Sequence, residues 1–176
     1  TFTVLHYLKS TAVIIRLASK NDYESIWHIF SQVVKDGKTY VFSPDTTKEE
    51  FETYWLSAPI TTFVAEEEGK IVGTYVIKPN HVGLGDHIAN CSYMVSESAQ
   101  GKGIGKMMCA HSIDYATEMG YKAIQFNIVI STNVAAIALW KKFGFQIIGT
   151  IPKAFRHSQL GLVDAYIMFR QLDFQS

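Results

Sequence analysis

The chain reads as a mixed α/β domain, a central sheet of six to seven strands flanked by about four helices. Three observations predict this. Apolar residues recur at helical spacing in some segments and gather in short β-rich runs in others. The two kinds of segment interleave in the order strand, two helices, two strands, strand–helix twice, two strands, which calls for a mixed sheet with helices on its faces. A glycine-rich turn, Gly101-Lys102-Gly103-Ile104-Gly105, joins an apolar run to a helical one. At 176 residues, 48% hydrophobic and 18% charged, the chain has enough apolar matter for one sizeable core, and it reads as a single domain over 1–176.

The elements follow in order. Ala12 to Leu17 is a first strand, and Ser19 to Asp22 supplies N-cap candidates. From Tyr23 to Val34, Ile26, Trp27, Ile29, Phe30, Val33 and Val34 mark an amphipathic helix that stops near Gly37. Thr47 to Leu56 is a second helix, with Thr47 three residues before Glu50 as in a capping box. Thr62–Glu66 and Lys70–Ile77 form a hairpin turned at Glu68-Gly69. His87 to Val95 is a central strand, and Ile104 to Met119 is a helix closed by Gly120. Ala123 to Ile130 is a strand, apolar but for Gln125 and Asn127. Val134 to Phe143 is a short helix ended by Gly144. Phe145–Ile151 and Val163–Leu172 are the last two strands, with Phe155 and Arg156 in the loop between them.

Several function classes fall away on composition. Lys+Arg and Asp+Glu number 16 each, so the net charge is zero, which argues against nucleic acid or an anionic membrane as the main partner. No eighteen-residue apolar stretch is present. Val13-Ile14-Ile15 is too short for a signal core and is interrupted by Arg16. A cytoplasmic location is expected, with an organellar targeting segment left open because the chain begins at Thr1. Cys91 and Cys109 read as buried thiols, and His81, His87, His111 and His157 lack metal-ligand spacing, so no metal is expected.

The glycine turn carries the chemistry. Glycines at alternate positions leave backbone N–H groups exposed at a helix start, where the dipole also favours an anion, so the turn reads as a phosphate site or, equally, as a strand-to-helix turn with no ligand. It is not a Walker A loop: five residues before Gly105-Lys106 stands Gln100 rather than glycine, and Met107 follows. It is not a dinucleotide fingerprint either, because Lys106 stands where the third glycine is needed. What remains is Gln100-x-x-Gly103-x-Gly105. Further on, Asn133 precedes Ala136-x-x-Leu139-Trp140-x-x-x-Gly144-Phe145.

Loop, second segment and element order together resemble the GCN5-related N-acetyltransferase (GNAT) superfamily over residues 12–172. The resemblance implies acetyl-coenzyme A as cosubstrate, its pyrophosphate on Gln100, Gly101, Lys102, Gly103, Ile104, Gly105 and Lys106. It also implies a thioester oxygen bonded to a backbone N–H near Met94 or Val95, a pantetheine arm between the central strand and the splayed strand after it, and contacts from Asn133 and Trp140. Asn133 also reads simply as a helix N-cap. Within the superfamily, His87-Ile88-Ala89-Asn90, Phe126-Asn127-Ile128-Val129, Thr132-Asn133 and Val163-Asp164-Ala165-Tyr166 are similar to enzymes that acetylate proline analogues such as azetidine-2-carboxylate. That similarity places Asn90 and Asn127 on the amine and carboxylate of a small amino or imino acid, a small-molecule partner, with a homodimer left open. Asn127 reads equally well as a core amide satisfied by backbone.

One departure bears on mechanism. Trp140 stands where many relatives carry a tyrosine that protonates the leaving thiolate, and an indole N–H is a very poor acid. No carboxylate lies between His87 and Val95. An α-amine of pKa ~8 is roughly a tenth neutral at pH 7 and a lysine amine of ~10.4 below about a thousandth, a gap worth roughly 3 kcal/mol. A site without a strong base therefore suits an α-amino group. The competing readings are acetylation of a protein N-terminus or lysine, and a coenzyme A-binding regulatory domain with degenerate chemistry.

Overall fold

The computed structural model describes residues 12–172. Its elements are β1 (Val13–Leu17), α1 (Tyr23–Lys35), α2 (Lys48–Phe51), β2 (Thr61–Glu67), β3 (Lys70–Pro79), β4 (Ile88–Val95), α3 (Ile104–Glu118), β5 (Ala123–Ile130), α4 (Val134–Lys142), β6 (Gln146–His157) and β7 (Gly161–Gln171). The seven strands form one sheet in the order β1-β2-β3-β4-β5-β7-β6. Every neighbouring pair is antiparallel except β4 and β5, which run parallel.

Strand alternation sorts the side chains into two cores. Val64, Val76 and Met94 face α1, where Ile26, Ile29, Phe30 and Val34 make the buried stripe. The opposite face carries Phe63, Tyr75, Ile77, Ala89 and Cys91 against Ile104, Met108 and Ile113 of α3, with Trp140 of α4 in the same cluster. Thr47 caps α2 by accepting from the Glu50 N–H at 3.2 Å, and Glu50 returns the bond to the Thr47 N–H at 2.8 Å. The helix expected through Leu56 widens to a π-type turn over Glu52–Leu56. Phe51 and Trp55 both reach full burial, with rings 5.0 and 5.6 Å from Phe30. The buried indole of Trp55 donates to Thr74 Oγ1 at 3.1 Å, as a polar tip in a core must.

The last two strands are longer than the sequence suggests. Phe155 and Arg156 lie in β6, paired with Val163 and Leu162, and not in a loop. Pro152 breaks the sequence pattern of the strand, but the chain takes up the break as a bulge between Ile151 and Phe155, with Lys153 at φ 52°. The Lys153 N–H, lost to the ladder, donates to Asp164 Oδ1 at 2.8 Å. The central strand starts one residue late, at Ile88, and the His87 carbonyl instead accepts from the Lys122 N–H at 2.8 Å.

The feature that positions the site is a fork. β4 and β5 pair only at Ile88↔Ala123, Ala89↔Ile124 and Asn90↔Gln125. Beyond Asn90 the two strands part. On its far side β5 departs from regular pairing with β7 between Phe126 and Val129, so Asn127 and Ile128 stand out of the ladder and exposed.

Candidate functional site

A cleft of about 650 Å³ runs from the fork to the start of α3. Its floor at the helix end is the glycine turn. Gly101 and Gly103 sit at φ 76° and 82°, in the left-handed region, and Gly103 is the N-cap of α3. The first intrahelical bond runs from the Met107 N–H to the Gly103 carbonyl at 3.0 Å. The N–H groups of Gly103, Ile104, Gly105 and Lys106 therefore have no partner within the helix. A Cβ built on Gly101 or Gly103 meets nothing within 4 Å, so both glycines border open space.

Not every predicted loop residue takes part in the same way. The N–H groups of Gln100 and Lys102 are used inside the turn, on Glu97 at 3.3 Å and Ala99 at 3.4 Å. Gln100, Gly101, Gly103, Ile104, Gly105 and Lys106 line the cleft, whereas the exposed Lys102 does not. Asp36 and Lys38, from the segment after α1, are lining residues that sequence reasoning passed over.

Register decides which backbone donor faces the cleft. Asn80 N–H bonds Ile88 at 2.8 Å and Ser96 N–H bonds Val72 at 2.9 Å, so the hydrogen-bonded pairs of β3 and β4 fall on even β4 positions. Met94 thus spends its N–H on Thr74, and its side chain, 1% exposed, belongs to the core beneath α1. Of the two positions expected to supply the acyl-oxygen donor, Met94 or Val95, both line the cleft, and the register turns the Val95 N–H away from β3. The N–H groups of Tyr93 and Val95 point across the fork instead. That of Tyr93 donates to the Tyr40 hydroxyl at 3.0 Å, and the same hydroxyl donates back to the Tyr93 carbonyl. Val95 keeps its N–H for the cleft.

Asn90 stands where the strands part. Its Nδ2 donates to the Gln125 carbonyl at 3.0 Å, and since only the NH₂ group can donate, this bond orients the amide. Its Oδ1 has no partner among the described residues. Asn90, Asn127, Ser92 and Tyr40 line a second cavity of about 160 Å³ that adjoins the cleft. Asn127 is not the buried amide the strand pattern suggests. It is exposed, accepts from Gln125 Nε2 at 2.9 Å and donates to Asn80 Oδ1 at 2.7 Å. Asn133 caps α4, accepting from the Ala136 N–H at 3.3 Å, and also lines the cleft.

Trp140 lines the cleft and is 9% exposed, with ring centroids 4.9 Å from Tyr93 and 5.0 Å from Phe126. Its indole N–H makes no hydrogen bond among the described residues and is not fully buried. Tyr75 and Tyr93 turn their hydroxyls away, to His111 Nδ1 and Ser112 Oγ, both at 2.7 Å. Burial raises the pKa of both phenols, and desolvation lowers that of His111. Cys91 touches both cavities, but burial pushes its thiol up to about 12, and that of Cys109 likewise. Neither is a thiolate at neutral pH, which removes them as nucleophiles. Among the described residues no group of three or more His, Cys, Asp or Glu could hold a metal ion, and no helix is long and apolar enough to cross a membrane.

The sequence is 29% identical over 160 residues to N-acetyltransferase aca1 of Schizosaccharomyces pombe, covering 81% of this chain and 77% of that one. It is 27% identical over 161 residues to the L-amino acid N-acetyltransferase AaaT of Escherichia coli, covering 90% and 97%. The solved structure of a GCN5-related N-acetyltransferase from Kribbella flavida superposes with a TM-score of 0.88 at 38% identity, over 92% of this chain and 98% of that one. A free-donor turn at a helix start, a forked parallel pair and this set of relatives agree with the match of residues 23–145 to the acetyltransferase (GNAT) family, and the chain belongs to that family.

Proposed function

We propose that the protein transfers the acetyl group of acetyl-coenzyme A to the amine of a small amino or imino acid by direct attack. The observation that carries this is the small uncharged cavity of about 160 Å³ at the fork, lined by Asn90, whose Oδ1 has no partner among the described residues. The pyrophosphate lies on the free N–H groups at the start of α3, and the arm runs through the cleft past Asn133. The Val95 N–H receives the thioester oxygen, whose negative charge grows as the amine attacks. Asn90 Oδ1 accepts one N–H of the amine and aims its lone pair. Asn127 at the rim offers its second amide hydrogen to the substrate carboxylate. The lining of this cavity includes no Asp, Glu or His to take the amine's proton, so the amine enters already neutral. The acetyl group passes to the amine in one transfer, with no acyl-enzyme.

The leaving thiolate resembles that of cysteine, with a pKa near ~8.5, and takes up through water the proton that the attacking nitrogen gives up. Trp140 therefore serves packing and hydrogen bonding and not acid catalysis. Trp140→Phe is expected to lower kcat by much less than the ~10²–10⁴-fold of a true acid–base group, and Trp140→Tyr to be tolerated. A loss of several orders of magnitude in a folded Phe variant would give the indole a chemical role.

The reaction itself is tested by coenzyme A release with an amine panel. Free amino and imino acids should be the fastest acceptors, and their carboxamides should be at least about tenfold poorer, the loss of one charge-assisted hydrogen bond. Peptides acetylated faster than free amino acids would move the assignment to protein N-termini. Tight coenzyme A binding without release for any amine would make the domain a sensor instead of an enzyme.

A further inference from the structure

Asn127 is exposed, yet neither end of its amide is loose. Its Oδ1 accepts from Gln125 Nε2 at 2.9 Å, and its Nδ2 donates to Asn80 Oδ1 at 2.7 Å. Three amides thus stand in a chain with Asn127 in the middle. The second bond joins β5 to the residue that follows β3, although β4 lies between those strands in the sheet. Asn127 lines the smaller cavity, whereas Gln125 and Asn80, both half-buried, line neither that cavity nor the cleft. They reach the cavity only through the asparagine.

An amide in the middle of such a chain cannot turn over alone. That would set its Nδ2 against Gln125 Nε2 and its Oδ1 against Asn80 Oδ1, donor on donor and acceptor on acceptor. Turning all three over reverses every bond and changes nothing for Asn127. Its oxygen is again taken by one neighbour and one amide hydrogen by the other, which leaves its second hydrogen spare in either sense. Both neighbours are fixed by the sheet. The Asn80 N–H closes the β3–β4 ladder on the Ile88 carbonyl at 2.8 Å. Gln125 is the last residue of β5 paired with β4, and its carbonyl accepts from Asn90 Nδ2 at 3.0 Å. Gln125 therefore tethers both asparagines of the acceptor site, Asn90 by its backbone and Asn127 by its side chain.

We infer that Asn80 and Gln125 are positioning residues that lock Asn127 as a hydrogen donor at the rim of the acceptor cavity. This rests on the reading of Asn127 as the contact for the substrate carboxylate.

The test has a structural arm and a turnover arm. In ¹⁵N-labelled protein the Asn127 side-chain amide is identified by its loss in Asn127→Ala. Its order parameter should be ~0.8 in the parent, close to that of rigid backbone, and below ~0.6 in Asn80→Ala and in Gln125→Ala. Turnover is measured with L-proline, L-azetidine-2-carboxylate and L-methionine, each as free acid and as carboxamide. Each alanine variant should raise the KM of the free acids about three- to tenfold, and that of the carboxamides less. The kcat, the KM for acetyl-coenzyme A and the melting temperature should stay near parental. In the Asn127→Ala background neither substitution should change KM further. Asn80→Asp and Gln125→Glu each force one sense of the chain and keep the spare hydrogen, so each should cost about threefold or less. Together they make both neighbours acceptors and take both hydrogens of Asn127. The KM of the free acids should then rise at least about tenfold beyond the product of the single effects.

A parent amide with an order parameter below ~0.6 overturns the lock, and so does a pair of acidic variants whose effects simply multiply. An alanine effect that persists without Asn127, or that falls equally on free acids and carboxamides, makes the role of Asn80 and Gln125 structural and overturns the inference. A parent that acetylates none of these amines fails the proposed reaction alone, because the order parameters still decide the lock.

Discussion

A Gly103→Val variant is expected to lose acetyl-coenzyme A affinity by about a hundredfold or more while staying folded. Gly103 is the N-cap of α3 at φ 82°, and the space beyond its Cα is open to the cleft. Two effects add. The isopropyl group fills the volume in which the pyrophosphate would lie. A β-branched residue also resists the left-handed conformation, at a cost of roughly 1–2 kcal/mol, so the turn shifts and its N–H groups lose their common aim. Each charge-assisted hydrogen bond lost is worth about 1.5–3 kcal/mol, or about ten- to hundredfold in affinity. Calorimetry with coenzyme A, alongside a melting curve, reads both effects. Gly103→Ala separates them, since it keeps most of the strain and little of the bulk, and should fall between. Parental affinity in a folded valine variant would remove the phosphate from this turn.

Asn90→Ala should reduce kcat by about ten- to hundredfold, the second large effect. The side chain, which lines the acceptor cavity, has two tasks at the fork: Nδ2 ties the last paired carbonyl of β5, that of Gln125, and Oδ1, without a partner among the described residues, is left for the amine. Alanine abolishes both, so alignment of the attacking amine is lost and the Gln125 carbonyl loses a donor. Asn127→Ala differs. This residue is exposed and bonded to Gln125 and Asn80, so its removal should raise the KM for the amino acid and leave kcat nearly as it was. Asn90→Asp is the informative third variant. It restores an acceptor toward the amine but sets a carboxylate against the Gln125 carbonyl. Partial recovery of kcat there would mark the amine contact as the larger share. Equal kcat in all three variants and the parent would take Asn90 out of the reaction.

Local signals were enough for most of the architecture. The stripe Ile26, Ile29, Phe30 and Val34, the capping box at Thr47 and Glu50, and the hairpin turned at Glu68-Gly69 each depend on residues near one another in the chain, and each stands where the pattern puts it. The glycine turn is legible for the same reason, because its conformation and its free N–H groups are properties of a few consecutive residues. Asn133 is a helix cap by the same local rule. Where the pattern misleads, a non-local bond is responsible. Pro152 reads as the end of a strand, yet β7 carries the pairing past it through a bulge that Asp164 helps to satisfy.

The tertiary structure decided which atoms meet. Only the register of β3 against β4 turns the Met94 N–H inward and the Val95 N–H toward the cleft, and register is a property of two strands, not of one. Asn127 interrupts a nearly continuous apolar run in the sequence, but the bulge of β5 against β7 sets it out to solvent. Tyr40 carries no motif. It lies in a stretch that reads as loop, and it becomes part of the site because its hydroxyl meets a peptide 53 residues away. Short-range chemistry thus wrote the elements and the phosphate turn into the sequence, while the fork and what it offers an amine arise from long-range pairing that no local pattern encodes.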